Sequence, residues 1–253
     1  MGAAEYIILV GVGVAAGFIN VVAGGGSMLT VPALVLMGVP GPVANGTNRI
    51  AIIAQSVAAS LTFFRRGVRD TALSLSLSLA LLPGAALGAW FGAHIEGVWF
   101  NRLLALVMIA VMLTMGLESR VKRRGGVAAR GDGALQRPVL THLLVVVLGF
   151  YGGIIHIGIG FLIMFVLHRV GGLDLVRVNM HKMLIVIPYS CAALAIFWAE
   201  SGILWLAGGA LALGNACGGW LGAHLSIARG EAFIRIAFNV CIALLILKLV
   251  LGG

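Results

Sequence analysis

Apolar residues run through this chain in ten blocks, parted by short polar or glycine-rich breaks. In the first half the blocks span about 5–22, 27–38, 43–64, 71–93 and 101–117. In the second they span about 139–156, 159–169, 178–198, 203–225 and 232–250. Most approach the roughly 20 residues that a helix needs to cross a bilayer core. They lack the apolar–polar alternation of membrane β-strands, so the pattern predicts helices. The second block of each half is too short for an ordinary span. Each short block starts beside glycines: Gly24, Gly25 and Gly26 in one half, Gly158 and Gly160 in the other.

The halves also repeat one another. Gly88-Ala89-Trp90-Phe91-Gly92-Ala93-His94-Ile95 returns as Gly218-Gly219-Trp220-Leu221-Gly222-Ala223-His224-Leu225, and Arg49, near the start of a long apolar block, returns as Lys182. The expected architecture is an all-α integral membrane protein made of two inverted-topology repeats, each with about five helical segments and a Gly-broken short helix near mid-membrane. The expected units are 1–117, a basic cytoplasmic linker at 118–138, and 139–253.

Composition agrees. Hydrophobic residues make up 61% of the 253 and charged residues 10%, against roughly 25% charged in soluble domains. The 37 glycines suit close helix packing in lipid. Met1 to Ala4 lacks the basic start of a cleavable signal peptide. The net charge of +9 does not indicate a nucleic-acid partner, because the basic residues lie between apolar blocks. Cys191, Cys217 and Cys241 stand singly within apolar blocks, which suggests neither a disulfide framework nor a zinc site.

Charge also orients the chain. If every segment crosses, all basic residues except Arg49, Arg102 and Lys248 fall on one side, a split of fourteen to three. If each Gly-broken pair crosses only once, the split becomes ten to seven. The bias of Lys and Arg toward the cytoplasm favours the first arrangement, with both termini outside and the 118–138 loop inside.

Two constellations are candidates for binding. At the breaks, glycines let the chain unwind, and the helix starting near Ser27 offers free N–H groups and a positive dipole end. The turn at Gly158 and Gly160 would offer the same from the other half. Such paired starts suit an anion, although small residues at these places also serve helix packing. The second constellation is Asn45-Gly46-Thr47-Asn48-Arg49, matched by Val178-Asn179-Met180-His181-Lys182. Here cations with polar neighbours suit an anionic substrate; the plainer alternative is snorkelling to headgroups. Asn20 and His156 lie close to the breaks. His156 and His181 are candidate proton carriers, with protons the candidate coupling ion, whereas His94 and His224 read as structural. Replacing Arg49 or Lys182 by Ala is expected to stop transport and leave folding intact.

All eight carboxylates lie at segment ends or in loops. Cation transporters usually keep one inside the membrane, so an anionic cargo is the better match. Ser74, Ser76 and Ser78 are expected to bond back to their own helix. No spacing suggests metal ligands.

These features resemble the TauE/SafE sulfite exporter family. The likeness is carried by Gly17-Phe18-Ile19-Asn20, by Gly24-Gly25-Gly26-Ser27-Met28-Leu29-Thr30-Val31-Pro32, and by Gly46-Thr47-Asn48-Arg49. A second copy runs from Gly149-Phe150 through Gly158-Ile159-Gly160-Phe161 to Lys182. The resemblance implies a permease of the bacterial inner membrane for sulfite, sulfonates or related small organic anions, with no prosthetic group. Met180-His181 departs from the family pattern and bears on which anion is carried. The expected function is alternating-access transport of such an anion, with membrane lipid as the surrounding partner. The alternatives are an anion channel and an integral-membrane enzyme, the latter lacking any visible catalytic cluster.

Overall fold

The computed structural model describes residues 2–96, 98–103, 105–106 and 134–251. Every regular element among them is helical: α1 (Ala3–Val22), α2 (Ser27–Leu36), α3 (Gly41–Arg65), α4 (Thr71–His94), α5 (Pro138–Ile154), α6 (Ile159–Phe165) continued by a π-helical turn (Val166–Val170), α7 (Leu175–Glu200) and α8 (Trp205–Leu251). Gly230, at φ 66°, breaks α8 into two lengths. The predicted fourth and fifth segments of the second half therefore form one element with a break between them. Most of the predicted segment 101–117 and of the linker 118–138 lies outside the described residues.

Local chemistry sets the helix starts. The Asp70 carboxylate accepts from the Leu73 N–H at 3.2 Å and opens α4. Asp174 does the same for α7, accepting from Val176 and Arg177. These caps occupy N–H groups that a helix start otherwise leaves free. Pro42 and Pro138 sit in first turns, where a missing N–H costs nothing.

Packing crosses between the halves. Helix α1 lies along α8 and α5 lies along α4; α3 also meets α8, and α7 meets α4. The two contacts match atom for atom. A Cβ on Gly17 would fall 2.3 Å from the Asn215 carbonyl oxygen, and one on Gly153 would fall 2.3 Å from that of Ala85. Gly218 and Gly88 are as tight, at 2.1 Å from the Val14 oxygen and 2.0 Å from that of Phe150. Backbones this close leave no room for a side chain, and dispersion between them replaces the hydrophobic drive that lipid cannot supply.

The Gly-broken pair α5–α6 doubles back. The Gln136 N–H donates to the Gly171 oxygen at 2.9 Å, so the pair begins and ends at the same end of the molecule.

Three helices, Ala3–Val22, Thr71–His94 and Leu175–Glu200, are long and apolar enough to cross a membrane. Outward positions remain apolar: Leu36 is 88% exposed and Ile7 73%. Trp90, Trp99, Trp198, Trp205 and Trp220 are each about half-exposed. Ser74 and Ser78 return their hydroxyls to the carbonyls of Asp70 and Ser74, as expected; Ser76 instead meets His142 across to α5.

Candidate functional site: two buried cations and the helix breaks

Arg49 lies two turns into α3 and Lys182 two turns into α7, and both are fully buried. Neither reaches the surface, which rules out snorkelling to headgroups. Each instead grips the end of the other half's first helix. Arg49 Nη2 donates to the carbonyls of Gly152 at 2.7 Å and Gly153 at 3.0 Å, in the last turn of α5. Lys182 Nζ donates to Asn20 at 3.0 Å and Val21 at 2.9 Å, in the last turn of α1. A helix that stops within the protein leaves carbonyls without partners and a negative dipole end. A cation satisfies both requirements at once.

The two clamps differ in what they hold besides. Lys182 also donates to Asn179 Oδ1 at 2.9 Å, with Met164 Sδ at 3.4 Å, so its three N–H bonds are spoken for. Arg49 keeps its Nε–H without a partner. Its Nη1 lies 3.0 Å from His156 Nδ1, and the Tyr189 hydroxyl lies 2.6 Å from the same nitrogen. The rings of Tyr189 and Phe197 flank the guanidinium at 5.7 and 5.9 Å.

At the breaks, Gly24 (φ 93°) and Gly158 (φ 74°) take the left-handed backbone that glycine favours. The two turns touch directly: a Cβ on Gly24 would lie 2.5 Å from the Gly160 carbonyl carbon, and one on Gly160 would lie 2.5 Å from the Gly24 oxygen. No ligand-sized gap separates these two glycines. Gly25 packs beneath the Phe161 ring and Gly26 against Ala16 and Asn20.

The remaining predicted residues divide into groups. Ser27, Asn20 and Asn48 gather at the first break, where Asn48 Nδ2 donates to Ser27 Oγ at 3.5 Å. His156 sits with Arg49 at the second. Thr47 accepts from the Leu204 N–H at 3.1 Å and so ties α3 to the start of α8. His181 stands apart from its neighbour Lys182 and meets Ser74 Oγ at 2.8 Å. Of the two histidines read as structural, His94 pairs with Glu200 at 3.4 Å and His224 with Arg66 at 3.1 Å.

Sequence reasoning passed over Tyr189, and it placed Asn45 and Asn179 in the candidate motifs without a role of their own; all three complete the clamps. Asn45 donates to the Ile154 oxygen at 3.0 Å. Also overlooked were Gln55 and Asn215, fully buried with no partner for either side-chain polar atom. Each is a lone amide inside an apolar block, and that was the available signal.

A cavity of about 590 Å³ opens between the α3–α4 turn and the start of α7, lined by Arg69, Asp70, Thr71, Arg177 and Met180 among others. Met180 closes it inward, packed with Val21, Phe63 and Met183.

Residues 9–249 match the family described as Sulfite exporter TauE/SafE. The chain belongs to that family. It is 30% identical over 220 residues to a probable membrane transporter protein, ORF9, of a Sinorhizobium species, covering 87% of this chain and 82% of the relative. It is 28% identical over 234 residues to a probable membrane transporter protein of Haemophilus influenzae, covering 90% and 88%. With the probable membrane transporter protein YfcA of Escherichia coli K12 it shares 25% identity over 253 residues, covering 96% and 88%. No solved structure is significantly similar to it. As a TauE/SafE protein with such relatives, the chain is a membrane transporter.

Proposed function

We propose that this TauE/SafE protein is a carrier for a small sulfur-containing oxyanion, such as sulfite, a sulfonate or a related organic anion, in the bacterial inner membrane. The observation that carries the reading is the sign of the buried charge. Among the described residues two cations are fully buried, Arg49 and Lys182, and no carboxylate is. A cation carrier needs an acidic ligand within the membrane, whereas this interior offers amides, hydroxyls and positive charge.

The halves act as inverted repeats, with termini outside and the 118–138 loop in the cytoplasm. The cavity between Arg69 and Arg177 is the cytoplasmic mouth, shut on its inner side by Met180. The cargo's path runs past Asn20, Gly24, Gly25, Gly26, Ser27, Thr47 and Asn48 at one break, and past Arg49, His156, Gly158 and Gly160 at the other. His181 and Lys182, which follow Met180 along α7, complete the set, His181 bonded to Ser74 and Lys182 holding the end of α1 at the first break. Rocking of the halves loosens one clamp at a time and exposes the path to one side and then the other. Sulfite flux into proteoliposomes tests this: it should saturate with sulfite and show counter-exchange. Unsaturable electrical conductance would indicate a channel, and the absence of sulfite, sulfonate and related anion flux would end the reading.

A further inference from the structure

Where the cargo rests midway is a separate question. Both cations are engaged by helix ends, and the glycine turns touch each other. Unsatisfied hydrogen-bonding capacity is spread over several buried groups, Arg49 Nε among them, but Gln55 and Asn215 are the described side chains that leave both polar atoms without a partner.

These two amides share one seam. On α8, Gly208, Asn215 and Gly219 recur at helical spacing on one face. The missing Cβ of Gly208 would meet Ile50 and the main-chain oxygen of Thr47, and that of Gly219 would lie 2.9 Å from the main-chain oxygen of Gln55. Asn215 therefore faces α3 between Ile50 and Gln55, while Gly17 of α1 presses on its backbone. Asn48, two turns from Gln55 on the same side of α3, has a buried Oδ1 that also lacks a partner. The seam lies near the midpoints of α3 and of the first length of α8.

The other half supplies an internal control. There the same three-helix seam is built from α5, α7 and α4. Ala85 stands where Asn215 does, with the same 2.3 Å approach of a glycine to its carbonyl. In the register that pairs Arg49 with Lys182, Pro188 stands where Gln55 does. That seam packs without an amide, although Ser190, near Pro188, leaves a buried hydroxyl without a protein partner. Burying two amides with no protein partner is costly, so a polar guest, water or ligand, is the natural partner for them.

We propose that Gln55 and Asn215 form the mid-membrane resting site for the cargo's oxyanion head group. The inference rests on the carrier reading above. Two carboxamides present four N–H donors and no charge, which suits a singly charged sulfonate or hydrogensulfite that must be held and then released. The amide oxygens, with Asn48 Oδ1, can accept an acidic hydrogen or water. Having the site in one seam only gives the carrier a single central station despite its duplicated frame.

The test uses the purified full chain in detergent, with sulfite and methanesulfonate as probes, read by calorimetric titration alongside a thermal melt. Asn215→Ala installs the residue that the other seam uses, and Gln55→Leu keeps the volume. Each variant should melt near the parent protein and bind the probes at least tenfold more weakly, roughly 1.4 kcal/mol. Should one variant fail to fold, the other reads the opposite wall of the same site. Parent-like binding by a folded variant overturns the site and leaves the carrier reading standing. Failure of the parent protein to bind either probe overturns the carrier reading for these anions, and the resting site with it.

Discussion

Arg49 Nη1 and His156 Nδ1 lie 3.0 Å apart, and chemistry dictates which of them donates. A guanidinium has no acceptor, so the imidazole nitrogen must accept. The Tyr189 hydroxyl, 2.6 Å from the same nitrogen, competes with Arg49 for its single lone pair. His156 Nδ1 therefore carries no proton while the clamp is closed, and a proton arriving there would push Arg49 away from it. Sulfite flux in proteoliposomes should accordingly respond to an imposed pH gradient, and His156→Ala should transport without that response. Wild-type flux indifferent to the gradient would remove the proton from the cycle.

Lys182 holds two carbonyls of α1 that no other described group satisfies from outside the helix. Lys182→Met buries them dry. The cost should be about 3 kcal/mol, or roughly 6–12 °C in melting temperature for a chain of this size. Lys182→Arg should recover part of it. Sequence reasoning expects Arg49→Ala and Lys182→Ala to fold normally and merely stop transporting. The clamp geometry instead predicts a lowered melt in both, measurable in detergent without any substrate.

The contact of Gly24 with Gly160 admits no methyl group. Gly160→Ala would drive a Cβ to 2.5 Å from the Gly24 oxygen, backbone against backbone, where no side chain can turn aside. Gly24→Ala adds a left-handed φ of 93° to the same clash. Either change should cost about 3 kcal/mol or more and sharply lower the yield of folded protein. Gly209→Ala is the control: nothing lies within 4 Å of its Cβ, and its helical backbone should gain roughly 0.5–1 kcal/mol. Equal melts for Gly160→Ala and Gly209→Ala would mean that the two breaks do not touch.

What could be read from the chain was what repeats locally. Apolar run length placed the helices to within a few residues, since lipid imposes one length on every span. The glycine clusters marked the breaks because only glycine tolerates that backbone. The partners of the clamps were hidden, because Arg49 and Gly152 are more than a hundred residues apart and no local period links them. The cations were legible as a matched pair, but their engagement with helix ends was not. Gln55 and Asn215 went unnoticed for a different reason. A search for charge in the membrane passes over neutral amides, and these two become conspicuous only when their lack of partners and the Ala85–Pro188 seam are compared.

Arg69 lines the cavity proposed as the cytoplasmic mouth, while Arg177 in the same lining sits 3.3 Å from Asp174. The Arg69 guanidinium in a partly enclosed cavity attracts anions locally even with Asp70 in the same lining, and salt weakens this effect over about 10 Å at 0.1 M ionic strength. Arg69→Gln should therefore raise KM for sulfite roughly threefold at low salt, leave kcat unchanged, and lose most of its effect at high salt. The defect should appear only when sulfite is offered from the face bearing Arg69, since the rest of the path is untouched. A fall in kcat at unchanged KM would show that Arg69 takes part in the conformational step and does not gather the anion at the entrance.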